Sequence, residues 1–365
     1  MFPETIFDAV LDDLTDELRD RATPAPIPLA TDSWVARSVL QKAIRRGMLE
    51  LALSAAAQLV IIDRQTLWRR LIVTAFEDLG PQEFGTTTAI VCAAGNSGWR
   101  SQVGGDWPVA AELVRRACAG TRCQSANDLW NIALHDTNLA EFKSGLCEAT
   151  KEEVLRSAAD TRLDVGARAV AVLVALRQAS GSDLPDHLTI PSGDVFAAFE
   201  DEGHRGAPVA VCAEAYRLTR VPLAALMLCA WAAGRSVQPV ESSDDVIPPA
   251  AWIGDVPTFA LDQYTRSGKA AITHYVSLSA DWKAFASCAG IDRGQWAAAA
   301  GELLFRVDGA AVSKRATGPW SATLRNRSLP LGCFMPPLHA PAGLALMRAQ
   351  MLLIDQIRVG LQPFQ

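Results

Sequence analysis

The chain has 365 residues, half of them hydrophobic and a fifth charged, with 34 Lys and Arg against 40 Asp and Glu and a formal net charge of −6. That length holds two or three domains' worth of core, and the acidic balance excludes a chain that is strongly basic throughout, as many nucleic-acid binders are. Abundant alanine beside only 3 tyrosines favours helix over sheet, because alanine loses least on becoming helical.

In chain order, residues 3–20 predict an acidic amphipathic helix. Ile6, Val10, Leu14 and Leu18 form one row, and Asp13, Asp16, Glu17 and Asp20 face water. Thr23-Pro24-Ala25-Pro26-Ile27-Pro28 is an extended linker of polyproline character. Three short helices follow between Trp34 and Gly80. In the first, Val35, Val39 and Ala43 and the row Ala36, Leu40, Ile44 and Met48 step by four onto one side. Arg37, Gln41, Lys42, Arg45 and Arg46 are expected on the opposite, wet side. Ser33 holds the N-cap position with Asp32 before it, and Gly47 suits a left-handed C-cap. The second helix, about Leu49 to Ile62, is rich in alanine. The third, capped by Asp63, points Leu67, Trp68, Leu71, Ile72, Ala75 and Leu79 inward and Arg69, Arg70, Glu77 and Asp78 outward, until Gly80-Pro81 stops it.

This stretch resembles the helical C-terminal region of clamp-loader-like AAA+ ATPases of the RarA/MgsA group. The matching residues are Gln41-Lys42-Ala43-Ile44-Arg45, Arg69-Arg70-Leu71, Ala75 and Glu77-Asp78-Leu79-Gly80, in the same order and with similar spacing. In that family the region is a collar that holds subunits together, and the family works at stalled replication forks and in recombination. The resemblance covers about 50 of the 365 residues and carries over no catalytic residue. Only 33 residues precede it, too few for the family's ATPase module. The nearest approach to a phosphate-cradling G-x-x-x-x-G-K-[ST] is Gly80 to Thr87, which has threonine in place of the lysine and follows a helix. ATPase activity is therefore not implied.

Beyond Gly80, helices are expected near 87–94, 108–119, 125–135, 150–159, 166–180, 192–201, 207–219 and 221–233. Residues 99–105 read as a loop, and Asp106 as the cap of the helix carrying Pro108. No fixed repeat period emerges, so a solenoid and an irregular bundle both remain open. Ser236 to Pro257, rich in proline, serine and acids, reads as a connection. After it, helices are expected near 267–277, 281–288, 293–306 and 342–359. A small hairpin, Leu303–Val307 with Ala310–Val312, competes with the end of the third of these. The fold class is thus mainly α: an irregular array or bundle of antiparallel helix pairs with at most one small β-hairpin. Its parts are an acidic N-terminal segment (1–33), a helical domain (34–235), a connecting segment (236–257) and a basic C-terminal subdomain (258–365).

Charge is segregated along the chain. Residues 1–33 hold eight acids and two bases, 34–79 seven bases and four acids, 80–256 are net −8, and 257–365 hold eleven bases and six acids. Three basic clusters are candidate phosphate or nucleic-acid contacts: Lys42, Arg45 and Arg46; Arg266 and Lys269 at a helix start within Asp262 to Lys269, where free N–H groups attract anions; and Lys314, Arg315, Arg325 and Arg327 around Trp320, a pattern that follows a single strand and stacks a base. Each has a plainer reading as solvated charge, on a helix surface or helix end for the first two and in an exposed loop for the third.

The 8 cysteines include no CxxC, the 5 histidines no HExxH, and no G-x-S-x-G elbow occurs. No metal site and no cofactor is expected, and catalytic residues are unassigned. Glu200, Asp201, Glu202 and His204 make a charged loop without identifiable partners. No apolar run is long enough to cross a bilayer, and most of the cysteines sit in apolar runs and read as buried free thiols, which points to the cytoplasm. These readings favour a non-enzymatic, self-associating scaffold or accessory protein of DNA metabolism, in replication or recombination and repair. Its partners would be DNA, further copies of the chain, or another replication or repair protein. The alternatives are an enzyme acting on a phosphorylated or nucleic-acid substrate around Asp262 to Lys269, and a protein-binding helical adaptor.

Overall fold

Local sequence signals set the first helices. In the computed structural model, which describes residues 4–178, 188–201, 206–233 and 241–361, α1 (Glu4–Asp20) is followed by α2 (Ser33–Arg46), α3 (Leu49–Ile62) and α4 (Arg64–Thr74). Asp32, not Ser33, caps α2: its carboxylate accepts from the backbone N–H groups of Trp34 and Val35. Gly47 closes the helix at φ 67°, and Asp63 accepts from the Thr66 N–H to start α4. The alanines of α3 are buried and admit close neighbours on both sides.

α4 does not stop cleanly. It passes into a π-helical turn, Ala75–Leu79, then a 3-10 turn, Gly80–Glu83. A π-turn inserts a residue and rotates the following side chains by about 100° around the axis. That turns Asp78 from the expected wet face to complete burial. The chain continues through α5 (Phe84–Gly95), α6 (Ser97–Gln102), α7 (Asp106–Ala119), α8 (Ser125–His135), α9 (Ala140–Glu148), α10 (Lys151–Ala159), α11 (Val165–Ala175), α12 (Ser192–Asp201), α13 (Ala207–Thr219) and α14 (Leu223–Ala233). The expected 99–105 loop is largely helical: Asn96 accepts from the Trp99 N–H and starts α6. Asp106 does not cap α7. Its carboxylate takes the Trp68 indole N–H and the Arg100 guanidinium instead. α11 is buried on all sides and packs with α8, α10 and α14, as a helix apolar around its circumference must.

Two antiparallel strand pairs follow: β1 (Ser242–Ser243) with β4 (Arg315–Ala316), and β2 (Trp252–Ile253) with β3 (Val256–Pro257). The C-terminal helices are α15 (Arg266–Leu278), α16 (Ala280–Cys288), α17 (Trp296–Leu304), α18 (Pro319–Ser328), α19 (Ala340–Ala349) and α20 (Met351–Gly360). Of the two competing readings of 303–312, the helix prevails over the hairpin. α17 runs instead into a second π-turn, Phe305–Gly309, which buries Asp308 against arginines. The basic stretch expected as a loop around Trp320 contains α18, with Pro319 in its first turn and Arg325 and Arg327 in its last, where cations suit the helix dipole. The last helix is two, divided at Gln350.

The fold is mainly α. One hydrophobic cluster spans α1 to α14 together with Phe259, Ala260, Leu261, Leu324 and Leu331; a second joins α15, α16, α17, α19 and α20. Among the described residues no helix is long and apolar enough to cross a membrane. Glu202 and His204 of the charged loop, residues 236–240 of the connection and residues 179–180 of one expected helix lie outside the described residues.

Candidate functional site

Most of the α2 row expected to face water is buried and paired with carboxylates or carbonyls. Gln41, Lys42 and Arg45 are buried because the segment 258–309 packs over them. The Lys42 ammonium lies 2.5 Å from Asp262, and burial lowers its pKa against the pull of that carboxylate. Arg45 meets Asp78 at 2.6 Å and Glu77 at 2.5 Å. Burial works against its charge, but these carboxylates outweigh it and hold the guanidinium above its ordinary pKa. The same Arg45 donates to the Gly309 carbonyl at 2.8 Å, so one side chain touches both π-turns. Arg46 turns the other way, 2.7 Å from Asp308, with its guanidinium 3.9 Å from the Phe259 ring centroid.

Asp78 anchors a polar relay. The carboxamides of Gln41 and Gln124 donate to it at 2.9 and 2.8 Å. Their oxygens in turn accept from Arg70 at 2.9 Å and Arg315 at 3.0 Å, and Arg315 continues to Asp245. This chain of bonds forms one side of a cleft of about 580 Å³ bounded by α2, the first π-turn, α8, the second π-turn and α18. The volume lies within the usual range for a small-molecule site. The cleft wall carries cations from α2, α4, β4 and α18: Arg37, Arg70, Arg315 and Arg325. Of the four exposed aromatic side chains among the described residues, Trp34, Tyr264 and Phe334 line this cleft and only Trp252 does not. Arg37 stacks 3.9 Å over Trp34.

α8 presents its polar face here. Ala126, Leu129, Ile132 and Ala133 are buried on its inner face, while Asn127, Asp128, Asn131 and His135 line the cleft. Burial pushes Asp128 up to about 6, against a hydrogen bond from Ser328 and the charges of Arg315 and Arg306. Burial also lowers the pKa of His135. The spacing of Gln124, Asn127, Asp128, Asn131 and His135, in steps of three and four with one adjacent pair, is the signal that marks this face in the sequence. It looks like any wet side of an amphipathic helix.

Comparison of the chain with protein-family models, with curated proteins and with solved structures finds no match.

The fold gathers some of the expected basic residues and disperses others. Lys42, Arg45, Arg315 and Arg325 line the cleft; Arg46, Arg266, Lys269, Lys314 and Arg327 do not. Arg266 and Lys269 stand exposed on α15 and do not converge on a pocket with Asp262, whose carboxylate takes Lys42 and the Tyr264 N–H. Arg327 binds Asp136 and Asp164, at 2.7 and 2.9 Å. Lys314 donates to the Ala119 carbonyl. Among the described residues these basic side chains therefore do not line up as one continuous positive track. A cleft with interspersed acids, Glu77, Asp128, Asp262 and Glu302, stands in its place. Among the described residues no group of three or more His, Cys, Asp or Glu is placed to hold a metal.

Proposed function

We propose that the chain is a non-enzymatic helical accessory protein of DNA metabolism that self-associates and holds a short single-stranded segment in the cleft bounded by α2, α8 and α18. The observation that carries this reading is the convergence of Trp34, Tyr264 and Phe334 with the guanidiniums of Arg37, Arg70 and Arg325 on one concave surface. Exposed rings give sequence-tolerant stacking platforms, and guanidiniums beside them neutralise phosphates. The likeness of residues 34–80 to a clamp-loader collar supports both the setting and the self-association, with another replication or repair protein as the further partner class. All eight cysteines are free and six are buried, which suits the cytoplasm. An enzyme built on Asp262 to Lys269 would need free ionisable groups in a pocket; Lys42 and Asp262 instead satisfy each other, and Arg266 and Lys269 stand outside the cleft.

A fluorescein-labelled single-stranded oligonucleotide titrated at low salt tests the DNA part by anisotropy. Binding should weaken steeply as salt rises, and Trp34→Ala should cost about 1–3 kcal/mol of affinity, the usual worth of one base stacked on an aromatic ring. Absence of binding at low salt, or affinity untouched by Trp34→Ala and by joint replacement of Arg37, Arg70 and Arg325 with alanine, removes it. Light scattering tests the assembly part, which a strictly monomeric mass removes.

A further inference from the structure

We infer that the α8 face of the cleft reads the edge of an unstacked base, accepting bases with an exocyclic amino group (cytosine, adenine, guanine) and rejecting thymine. The inference rests on the nucleic-acid reading above and adds base selectivity to it.

The floor is biased towards acceptors. The Asn131 carboxamide nitrogen is engaged by the Ser328 carbonyl at 2.8 Å and the Ser328 hydroxyl at 3.1 Å, which leaves its Oδ1 as the atom offered to the cleft. Gly332 keeps that oxygen open. A Cβ at Gly332 would stand 2.9 Å from Asn131 Oδ1 and 3.2 Å from His135 Nε2, and its φ of 72° is itself a conformation side chains rarely adopt. One helical turn away, the Asp128 carboxyl has the Ser328 hydroxyl as a partner and feels the charges of Arg315 and Arg306, but no guanidinium is hydrogen-bonded to it among the described residues. Asn127 is half-buried, lines the cleft and makes no hydrogen bond among the described residues, so its amide supplies two N–H donors and one acceptor oxygen. Gln124 differs: both ends of its amide are held, by Asp78 and Arg315, so it is a fixture of the wall.

Two acceptors and one adaptable amide match a base edge that offers amino hydrogens. A carboxylate accepts from cytosine N4, and a carboxamide pairs with the adenine edge. Thymine offers two carbonyl oxygens around a single N–H, so it can satisfy at most one of Asp128 and Asn131 Oδ1 and sets a carbonyl against the other. Trp34, Tyr264 and Phe334 at the mouth hold any base by its ring face and do not discriminate. Selectivity therefore falls to α8.

Oligo-dC, oligo-dA, oligo-dT and an abasic oligomer of one length, titrated against the full chain at mildly alkaline pH, test this. Oligo-dC and oligo-dA are expected to bind about fivefold or more tighter than oligo-dT, with the abasic oligomer weakest. Asp128→Asn, which exchanges an acceptor for a donor, should raise affinity for oligo-dT and erase the preference. Asn127 makes no hydrogen bond among the described residues, so Asn127→Ala should narrow the preference by weakening oligo-dC and oligo-dA more than oligo-dT. Equal affinity for oligo-dC and oligo-dT in the native chain, or a preference unmoved by both substitutions, overturns base reading and leaves the nucleic-acid reading standing. Failure to bind any oligomer overturns both.

Discussion

The two π-turns end alike and serve differently. Ala75–Leu79, followed at once by Gly80, and Phe305–Gly309 each follow a helix, each meet a glycine at their end, and each bury an aspartate that takes an arginine from α2. Asp308 is met by two guanidiniums, Arg46 and Arg358, and lies off the cleft. Asp78 is met by one guanidinium and two carboxamides whose far ends reach Arg70 and Arg315 in the cleft wall. The same backbone device thus serves as a closed charge cluster in one place and as the root of a ligand-facing relay in the other. What distinguishes them is where the aspartate's partners lead: Arg46 and Arg358 go on to Pro248 and Asp355, off the cleft, and Gln41 and Gln124 go on to arginines that line it.

Asp308→Ala and Asp78→Ala break this comparison most severely. Removing one partner of a buried pair costs about 3–5 kcal/mol, and the lower end is expected here because Arg45 keeps Glu77 and Arg358 keeps Asp355. Thermal or urea unfolding should show losses of that size in both variants. Oligonucleotide affinity, measured where each is still folded, should fall only for Asp78→Ala. An equal loss of affinity in Asp308→Ala would erase the distinction between the two turns.

Glycine substitution sharpens it. Gly80 sits at φ 59° and ψ −154°, a region essentially reserved for glycine, and a Cβ there would stand 2.3 Å from the backbone oxygen of Cys123. At Gly309 a Cβ would meet the Phe305 ring at 2.6 Å, a side chain able to turn aside. Gly80→Ala should therefore destabilise by roughly 2–4 kcal/mol and Gly309→Ala by about half as much or less. Denaturant midpoints in which Gly309→Ala proves the more damaging would contradict this account.

The smallest effect is one of sign. Burial raises the Asp128 carboxyl from its ordinary value of 3.8 to about 6, so the folded chain holds that proton more tightly than the unfolded chain. The contribution to stability is fully present below about 3.8 and is lost as pH rises through about 6. At neutral pH Asp128 is then a cost, and Asp128→Asn should stabilise the chain there by on the order of 1–2 kcal/mol, with the gain vanishing towards pH 4. A melting temperature that drops at neutral pH in this variant would show the carboxylate to be a structural anchor instead of an open acceptor.

How much of this was readable beforehand differs by element. The ends of α3 and the close of α2 at Gly47 follow from caps and periodicity within a few residues, and the structure places them as expected. The wet face of α2 was misread because what covers it, Asp262, Asp308 and Gly309, comes from more than 200 residues away in sequence. Periodicity shows that a face is polar; it does not show whether water or another buried carboxylate satisfies it. The π-turns escaped for a related reason: the inserted residue is imposed by tertiary pairing of the aspartate, and a 3.6-residue count leaves Asp78 and Glu77 on the outside. α18 was hidden behind its charge, since Arg325 and Arg327 read as loop cations until Pro319 is seen to open a helix. In the cleft, Lys42, Arg45, Arg315 and Arg325 were visible as cations, whereas Trp34, Arg37, Asn127, Asp128 and Asn131 had no pattern setting them apart from ordinary helix surface.

Adjacent arginines on α2 reach into separate turns of the molecule, and Lys42 of the same helix holds Asp262. Severing the polypeptide in the segment 241–250 would leave a C-terminal piece with Asp262 deprived of its counter-ion and Asp308 of one of two. Such a piece made alone should be insoluble or molten. Co-expressed with the N-terminal piece it should be rescued as a nicked complex, since fragment complementation would restore the missing cations.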